Sequence, residues 1–196
     1  MIAALILAAG RSSRMGRPKA LLRQIQSGRT FVSHLIRLSQ GTDLSPILVI
    51  GRADDIALRS VVEKEGGRFV VNADPDRGQL SSIITGLDVL PDADAVVVMP
   101  VDVPLVSTAV VAALLSAAFE SGIQIARAMH GGRHGHPVVF RRAVFAELRS
   151  ADERIGAKAV VRADPLRVRD VEVDDIGVTL DIDTPDDYLR VFGRKL

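Results

Sequence analysis

The first half of the sequence alternates between short apolar runs and segments with helical periodicity. The runs are rich in β-branched residues and nearly continuous in apolar character, which is typical of strands buried on both faces of a parallel sheet. They cover residues 2–7, 47–50, 69–71 and 95–99, and three predicted helices lie between them at 30–38, 54–65 and 80–90. Alternation at this spacing predicts an α/β fold with a doubly wound, mostly parallel sheet.

The second half departs from strict alternation. After a helix at 108–121, predicted strands at 123–129 and 137–140 flank a glycine-rich turn at 131–135, so we expect an antiparallel extension of the sheet. Helices at 143–149 and 155–163 and strands at 166–173 and 178–182 follow. Thr184 is a predicted cap for the last helix, with Pro185 in its first turn and Asp187 completing a capping box. With no repeat or linker visible, residues 1–196 are interpreted as one domain.

Composition excludes several classes of protein. Hydrophobic residues make up 47% of the chain, which excludes a disordered protein, and the absence of cysteine excludes disulfides and thiolate zinc sites. The apolar start is too short to span a bilayer, and its positive charges follow the apolar run, the reverse of the order in a secretory signal. We therefore expect a soluble, cytoplasmic protein that binds no membrane.

Charge is distributed unevenly along the chain. The net charge of +1 predicts no general attraction to nucleic acid. Residues 1–42 contain Arg and Lys but no Asp or Glu, whereas residues 170–187 contain eight acidic residues and no Lys or Arg. One interpretation is two complementary solvated faces. The other is a polyanion site near one end of the chain and a cation-binding segment near the other.

The loop after the first strand carries the strongest chemical pattern. Residues 7–22 read Leu-Ala-Ala-Gly-Arg-Ser-Ser-Arg-Met-Gly-Arg-Pro-Lys-Ala-Leu-Leu. In an open α/β sheet ligands bind beyond the carboxyl ends of strands, where Ala8, Ala9 and Gly10 let the backbone approach a phosphate closely. Arg14 and Lys19 add cations suited to phosphoryl oxygens. The spacing excludes a Walker A loop and a GxGxxG dinucleotide fingerprint, although a basic, glycine-containing loop without function stays an alternative.

The whole string, L-A-A-G-x-S-x-R-M-G-x-P-K-A-L-L, resembles the nucleotidyltransferase superfamily, in the branch of the molybdenum-cofactor cytidylyltransferases and related guanylyltransferases. The resemblance recurs in order downstream, at Asn72, Gly78-Gln79-Leu80-Ser81-Ser82, Pro100-Val101-Asp102-Val103-Pro104, Gly135-His136-Pro137 and Asp181-Ile182-Asp183-Thr184-Pro185. It implies a Rossmann-like nucleotide-diphospho-sugar transferase fold. It also implies a Mg²⁺-dependent enzyme that joins the nucleoside monophosphate of a triphosphate to a phosphorylated acceptor and releases pyrophosphate.

The same resemblance implies roles for individual residues. Arg14, Lys19 and Asp102 are the expected catalytic residues, with Asp102 the principal Mg²⁺ ligand, Asp183 the second, and Asp181 a close rival to Asp183. The expected nucleotide-binding residues are Leu7, Ala8, Ala9, Gly10, Arg14, Lys19, Asn72, Gly78 and Ser82. The expected acceptor-binding residue is His136.

Taken without the resemblance, several of these residues have simpler interpretations. Asp102 and Asn72 could be turn residues at strand ends, and residues 78–82 could be an ordinary helix start. His130, His134 and His136 lack the fixed spacing of a helical zinc motif and are more simply exposed loop histidines.

The choice of substrates follows from one detail of the loop. Leu-Ala-Ala-Gly looks like the cytidylyl version of the family motif, whereas guanylyl enzymes more often carry Leu-Ala-Gly-Gly. We therefore expect CTP and the phosphate of molybdopterin as substrates, with a molybdoenzyme or its chaperone as a further partner. The alternatives are GTP, a sugar, polyol or lactyl phosphate acceptor, or a non-catalytic regulator of molybdoenzyme maturation. A nicotinamide oxidoreductase is disfavoured by the missing fingerprint.

Overall fold

A computed structural model describes residues 1–25 and 27–196, and in these residues it contains seven strands and seven α-helices. The strands are β1 (Ile2–Leu7), β2 (Ile47–Gly51), β3 (Arg68–Val71), β4 (Ala95–Pro100), β5 (Ile125–His130), β6 (Arg133–Arg141) and β7 (Val168–Glu172). The helices are α1 (Phe31–Gln40), α2 (Ile56–Lys64), α3 (Gln79–Asp88), α4 (Thr108–Ala118), α5 (Phe145–Ser150), α6 (Lys158–Ala163) and α7 (Pro185–Phe192).

All the strands form one sheet in the order β3-β2-β1-β4-β6-β5-β7. Strand β1 lies in the interior of the sheet and pairs in parallel with β2 and β4, with Leu7 opposite both Ile50 and Pro100. Strand β6 runs antiparallel to β4 and β5, and β7 returns parallel to β5. The expected doubly wound α/β fold with an antiparallel extension is therefore confirmed. The carboxyl ends of β1, β2 and β4 meet at one edge of the sheet.

The sheet separates two hydrophobic cores. Successive side chains of β1 alternate between them, because Ala4 and Ile6 pack with helices α1, α2, α4 and α7, whereas Ala3 and Leu5 pack with α3, α5 and α6. Among the described helices, none combines the length and apolar character needed to cross a membrane.

Helix α7 closes the fold at the candidate site. Its predicted capping box is confirmed, since the Thr184 side chain accepts from the Asp187 N–H and the Asp187 carboxylate accepts from the Thr184 N–H. The Tyr188 hydroxyl donates to the Arg23 carbonyl at 2.6 Å. Just before the helix, the Ile182 N–H donates to the Asp102 carbonyl at 2.8 Å. The acidic segment near the end of the chain is thereby fixed against the end of β4.

Three local predictions were wrong. Strand β3 lies at the sheet edge and is not buried on both faces, since Val70 alone in it is buried. Residues 178–182 do not form a strand, because the Asp175 carboxylate accepts from the Gly177 N–H at 2.9 Å and starts a 3₁₀ turn at Ile176–Thr179. The predicted turn at 131–135 is shorter, because β6 already begins at Arg133.

This early start of β6 places Gly135 and His136 within a strand. A Cβ atom on Gly135 would lie 1.9 Å from the Val178 carbonyl oxygen. The backbone of β6 therefore approaches the 3₁₀ turn more closely than any residue with a side chain allows.

We predict that Gly135→Ala destabilises the protein while Gly10→Ala does not. A Cβ on Gly135 meets backbone, whereas a Cβ on Gly10 meets nothing within 4 Å. Overpacking typically costs about 1–3 kcal/mol, so we expect Tm to fall by roughly 2–10 °C in a domain of this size. Thermal unfolding followed by circular dichroism measures the difference, and equal Tm values for the two variants would contradict the close approach.

Candidate active site

A cleft of about 850 Å³ opens at the carboxyl ends of β1, β2 and β4. Most of the residues expected to bind nucleotide line it, namely Leu7, Ala8, Ala9, Gly10, Lys19, Gly78 and Ser82. Asp102, the expected principal metal ligand, lines it as well. Arg14, Asn72, Asp183 and His136 are not part of its lining. The structure therefore brings the loop after β1 and the carboxylate after β4 together, and it places the other four residues around them.

The loop after β1 is folded back on Ser12. The Ser12 carbonyl accepts from the N–H groups of Met15 and Gly16 at 3.0 and 3.1 Å, and its hydroxyl accepts from the Lys19 N–H at 3.1 Å. In the described part of the chain, the N–H groups of Ala9 and Gly10 donate to no protein acceptor. Free N–H groups beside a cation are the usual elements of a phosphate-binding loop.

Lys19 connects two carboxylates that are distant in sequence. Its ammonium donates to Asp102 Oδ2 at 3.2 Å and also contacts Asp183 Oδ1, and Arg14 Nη2 donates to Asp183 Oδ2 at 2.8 Å. The hydrogen bond from Lys19 is the largest cause that lowers the pKa of Asp183, and Arg14 adds to it. The basic and acidic segments of the sequence therefore meet, in a cluster where only 12% of the Lys19 side chain is exposed.

This cluster fits a divalent cation. One ammonium reaches both Asp102 and Asp183, so the two carboxylates flank a position that a single cation can fill. Within residues 1–25 and 27–196, no three His, Asp or Glu side chains are placed so that together they could hold a metal ion. The histidines therefore form no zinc site in this part of the chain. Hard oxygen donors of this number suit Mg²⁺, which is usually held by one or two carboxylates together with substrate phosphates.

Asp181 lies close to the same carboxylates but on another wall. It lines a second cavity, and burial is the main cause that raises its pKa, with Asp102 and Asp183 adding to the effect. The contacts of Lys19 associate Asp102 with Asp183, and they leave Asp181 as a neighbouring charge.

Asn72 supports the cleft from behind its wall. Its Nδ2 donates to the hydroxyls of Ser81 and Ser82 at 2.8 and 3.0 Å, and its Oδ1 accepts from the Asp74 N–H at 2.9 Å. Both Asn72 and Ser82 are buried. With its amide occupied in this way, Asn72 holds Ser82 in the cleft wall rather than facing the cleft itself.

Arg52 lines the cleft directly after β2, although no sequence motif points to it. Its Nη1 donates to the Ala9 carbonyl and to Asp76 Oδ1, both at 3.3 Å, and Arg11 Nε donates to the same Asp76 oxygen at 3.0 Å. The hydrogen bond from Arg11 is the main reason that the pKa of Asp76 falls to about 2. Arg52 follows the carboxyl end of a parallel strand, as Asp102 does. Ligands bind beyond these strand ends in open α/β sheets, so the same rule points to both residues.

The second cavity, of about 770 Å³, lies beside the cleft and is lined in part by His136. The prediction of exposed loop histidines is wrong, because His130 lies in β5 and both His134 and His136 lie in β6. His134 is exposed, whereas His136 has an Nδ1 atom that is shielded from solvent and unpaired among the described residues. Burial lowers its pKa to about 4, so His136 is neutral at pH 7. His130 and His134 point elsewhere, towards the Val173 carbonyl and Asp170.

The sequence is similar to known nucleotidyltransferases. Residues 4–171 match the model of the MobA-like NTP transferase domain. A Bacillus cereus protein named "Probable molybdenum cofactor guanylyltransferase" is 37% identical over 108 residues, which is 54% of this chain and 50% of that protein. The chain therefore spans about half the length of the curated relatives it matches.

Two solved structures are similar over almost their whole length. Rv0371c from Mycobacterium tuberculosis H37Rv is 30% identical with a TM-score of 0.82, covering 98% of this chain and 97% of that one. A complex of Rv0371C with manganese is 27% identical with a TM-score of 0.77, covering 98% of both chains. With the family model matched over most of the chain, this protein belongs to the MobA-like NTP transferase family.

Proposed function

We propose that the protein transfers the nucleoside monophosphate of a triphosphate, preferably CTP, to a phosphate monoester acceptor and releases pyrophosphate. The observation that carries the proposal is the position of Lys19. Its ammonium lies at the cleft wall between Asp102 and Asp183, beside a loop with free N–H groups. Phosphates, a divalent cation and their counter-charges are all accommodated by this arrangement.

In the proposed reaction, an oxygen of the acceptor phosphate forms a bond to the α-phosphorus, and the bond from the α-phosphorus to the bridging oxygen breaks. The electron pair leaves with pyrophosphate. A phosphate monoester has a second pKa of about 6, so it is largely ionised at pH 7 and needs no general base. The protein's contribution is to orient the two substrates and to neutralise charge, through Lys19, Arg14 and the N–H groups of the loop.

Asp102 and Asp183 are the proposed ligands of Mg²⁺. When bound, the metal supplies charge neutralisation at phosphate oxygens. With both carboxylates engaged by a divalent ion, the Lys19 ammonium would be available to the phosphate oxygens of the triphosphate. The manganese complex of Rv0371C supports a divalent cofactor in proteins of this shape.

The proposed preference for CTP rests on Ala9. Ala9 is buried in the cleft wall, where a glycine would leave more space for a base, and cytosine is smaller than guanine. GTP is the second candidate, because the name of the Bacillus cereus relative specifies guanylyl transfer. That relative's name also supports molybdopterin phosphate as the acceptor. A purely regulatory role receives less support, since Lys19 and both carboxylates are present and paired.

Removal of the Lys19 ammonium is expected to weaken triphosphate binding or turnover without unfolding the protein. A charge-assisted contact contributes about 1.5–3 kcal/mol, so Lys19→Ala should reduce triphosphate affinity or turnover roughly 10- to 150-fold. Arg17→Ala is the matched control, because Arg17 is exposed on the same loop and forms no ion pair in residues 1–25 and 27–196. Titration calorimetry and pyrophosphate release measure both variants. Equal losses in the two would remove Lys19 from the site.

The identity of the base is tested by comparing the affinities of the protein for CTP and GTP. With Mg²⁺ present, we expect CTP to bind more tightly than GTP, and Ala9→Gly to narrow the difference because it removes a methyl group from the wall. Calorimetric titration of both triphosphates into both proteins gives the four affinities. Tighter binding of GTP to the wild type would refute the cytidylyl assignment and leave nucleotidyl transfer intact.

The metal assignment predicts unequal effects of three isosteric changes. Asp102→Asn should reduce turnover by at least about 100-fold, because Lewis-acid catalysis is worth several kcal/mol. Asp183→Asn should be milder, since an amide oxygen still binds Mg²⁺, and Asp181→Asn should have the smallest effect. Pyrophosphate release is measured against Mg²⁺ concentration, with circular dichroism as the folding control.

A folded Asp102→Asn variant with wild-type turnover would overturn this assignment. A severe loss confined to Asp181→Asn would transfer the second ligand to Asp181.

A further inference from the structure

The peptide group between Ala9 and Gly10 lies where the pairing of β1 ends and the cleft begins. The Ala8 N–H still donates to the Ile50 carbonyl of β2 at 2.8 Å. One residue further, the Ala9 carbonyl accepts from no backbone N–H in the described chain, and its partner is Arg52 Nη1 at 3.3 Å. A side chain therefore takes over from the sheet in holding this part of the loop.

The contact with Arg52 also sets the direction of the Gly10 N–H. The Ala9 carbonyl and the Gly10 N–H belong to one trans peptide group, so they point in opposite directions. Because the carbonyl is held by Arg52, the N–H points away from Arg52. This N–H donates to no protein acceptor in the part of the chain that the structure describes, and Gly10 lines the cleft.

Gly10 is a residue at which this orientation could easily be lost. Its φ is negative, and half a turn of the Ala9–Gly10 peptide group would make φ positive, which glycine tolerates and other residues disfavour. No atom lies within 4 Å of a Cβ placed on Gly10, so the surroundings leave room for the rotation. A rotated peptide group would present a carbonyl oxygen to a phosphate instead of an N–H.

Arg52 is held in turn by an ion pair that reaches back to the same loop. Its Nη1 also donates to Asp76 Oδ1 at 3.3 Å, and Arg11 Nε donates to that oxygen at 3.0 Å. Since Arg11 directly follows Gly10, the contacts form a closed ring that runs through Arg11, Asp76, Arg52 and the Ala9 carbonyl. Only 24% of the Arg52 side chain is exposed. The ring fixes the peptide group from both of its ends.

We propose that Arg52 is a positioning residue, which orients the Gly10 N–H towards the phosphates of the bound triphosphate. Asp76 and Arg11 complete the ring that keeps Arg52 in place. The assignment rests on the proposed nucleotidyl transfer for the identity of the ligand, and on the contacts of the ring for the arrangement. Because the oriented group is a donor to phosphate, the contribution of Arg52 is the same for CTP and GTP.

Calorimetric titration of CTP and of GTP, each with Mg²⁺, tests the proposal in Arg52→Met. This change keeps the apolar stem and removes the donors, so we expect both affinities to fall by the same factor, roughly 3- to 10-fold. Arg52→Lys should restore most of the loss, since an ammonium can donate to both Ala9 and Asp76. Arg68→Gln, at an exposed arginine of β3 outside both cavity linings, is the matched control.

Two further comparisons separate orientation from the loss of a positive charge. Asp76→Ala removes a negative charge beside the cleft, so charge attraction alone predicts tighter triphosphate binding, whereas loss of the ring predicts weaker binding, which we expect. In a Gly10→Ala background, Arg52→Met should reduce affinity less than in the wild type, because alanine disfavours the rotated peptide group even without the arginine.

Tighter binding to Asp76→Ala would overturn the proposal, as would an equal effect of Arg52→Met in both backgrounds. A loss confined to one of the two triphosphates would also overturn it, because Arg52 would then act on the base.

The direction of the residue 10 N–H is measured without any nucleotide by residual dipolar couplings in the free protein. We expect this coupling to change in folded Arg52→Met and to keep its wild-type value in Arg68→Gln. An unchanged coupling in folded Arg52→Met would overturn the proposal. If the wild type binds no triphosphate but the coupling changes as expected, the proposed function fails while the role of Arg52 in holding the peptide group stands.

Discussion

The parallel pairing of β1 with β4 is the contact on which the candidate site depends. Leu7 lies opposite Pro100, and the Val101 N–H donates to the Leu7 carbonyl at 3.0 Å, so the two chains leave the sheet side by side. The loop after β1 and the carboxylate of Asp102 are therefore set against each other by backbone hydrogen bonds in the middle of the core.

The second requirement is that the acidic segment near residue 183 reaches the same place. No strand carries it there. The Ile182 N–H is bonded to the Asp102 carbonyl, and Tyr188 and Phe192 pack on Phe31 with ring centroids 6.4 and 5.9 Å away. The aromatic contacts bury the apolar face of helix α7, and the backbone hydrogen bond aligns the acidic segment with the end of β4. The charge asymmetry visible in the sequence is therefore expressed as a local cluster around Lys19 instead of two distant solvated faces.

How far the sequence predicts this arrangement depends on whether the signal is local. Strands β1 and β4, the capping box at Thr184 and the loop with Lys19 follow from patterns within a few residues. The strand predicted at 178–182 failed because a side-chain turn at Asp175 overrides apolar character. His136 was misplaced because its environment depends on the approach of Gly135 to Val178, a contact between segments 43 residues apart. Arg52 was overlooked although its position at a strand end was readable.

The charge arrangement also bears on whether the proposed metal and triphosphate bind separately or together. Arg14 and Lys19 carry two positive charges and are matched by Asp102 and Asp183. A triphosphate without metal would attract the two cations but face both carboxylates, and a metal without triphosphate would have to displace Lys19 from them. A metal-bound triphosphate would offer the opposite charge to each pair at once: Asp102 and Asp183 would hold the metal, while Arg14 and Lys19 would hold the phosphates. The Lys19 side chain is only 12% exposed, so leaving its ammonium without a counter-charge would be costly. The cleft is accordingly suited to bind the metal and the triphosphate together.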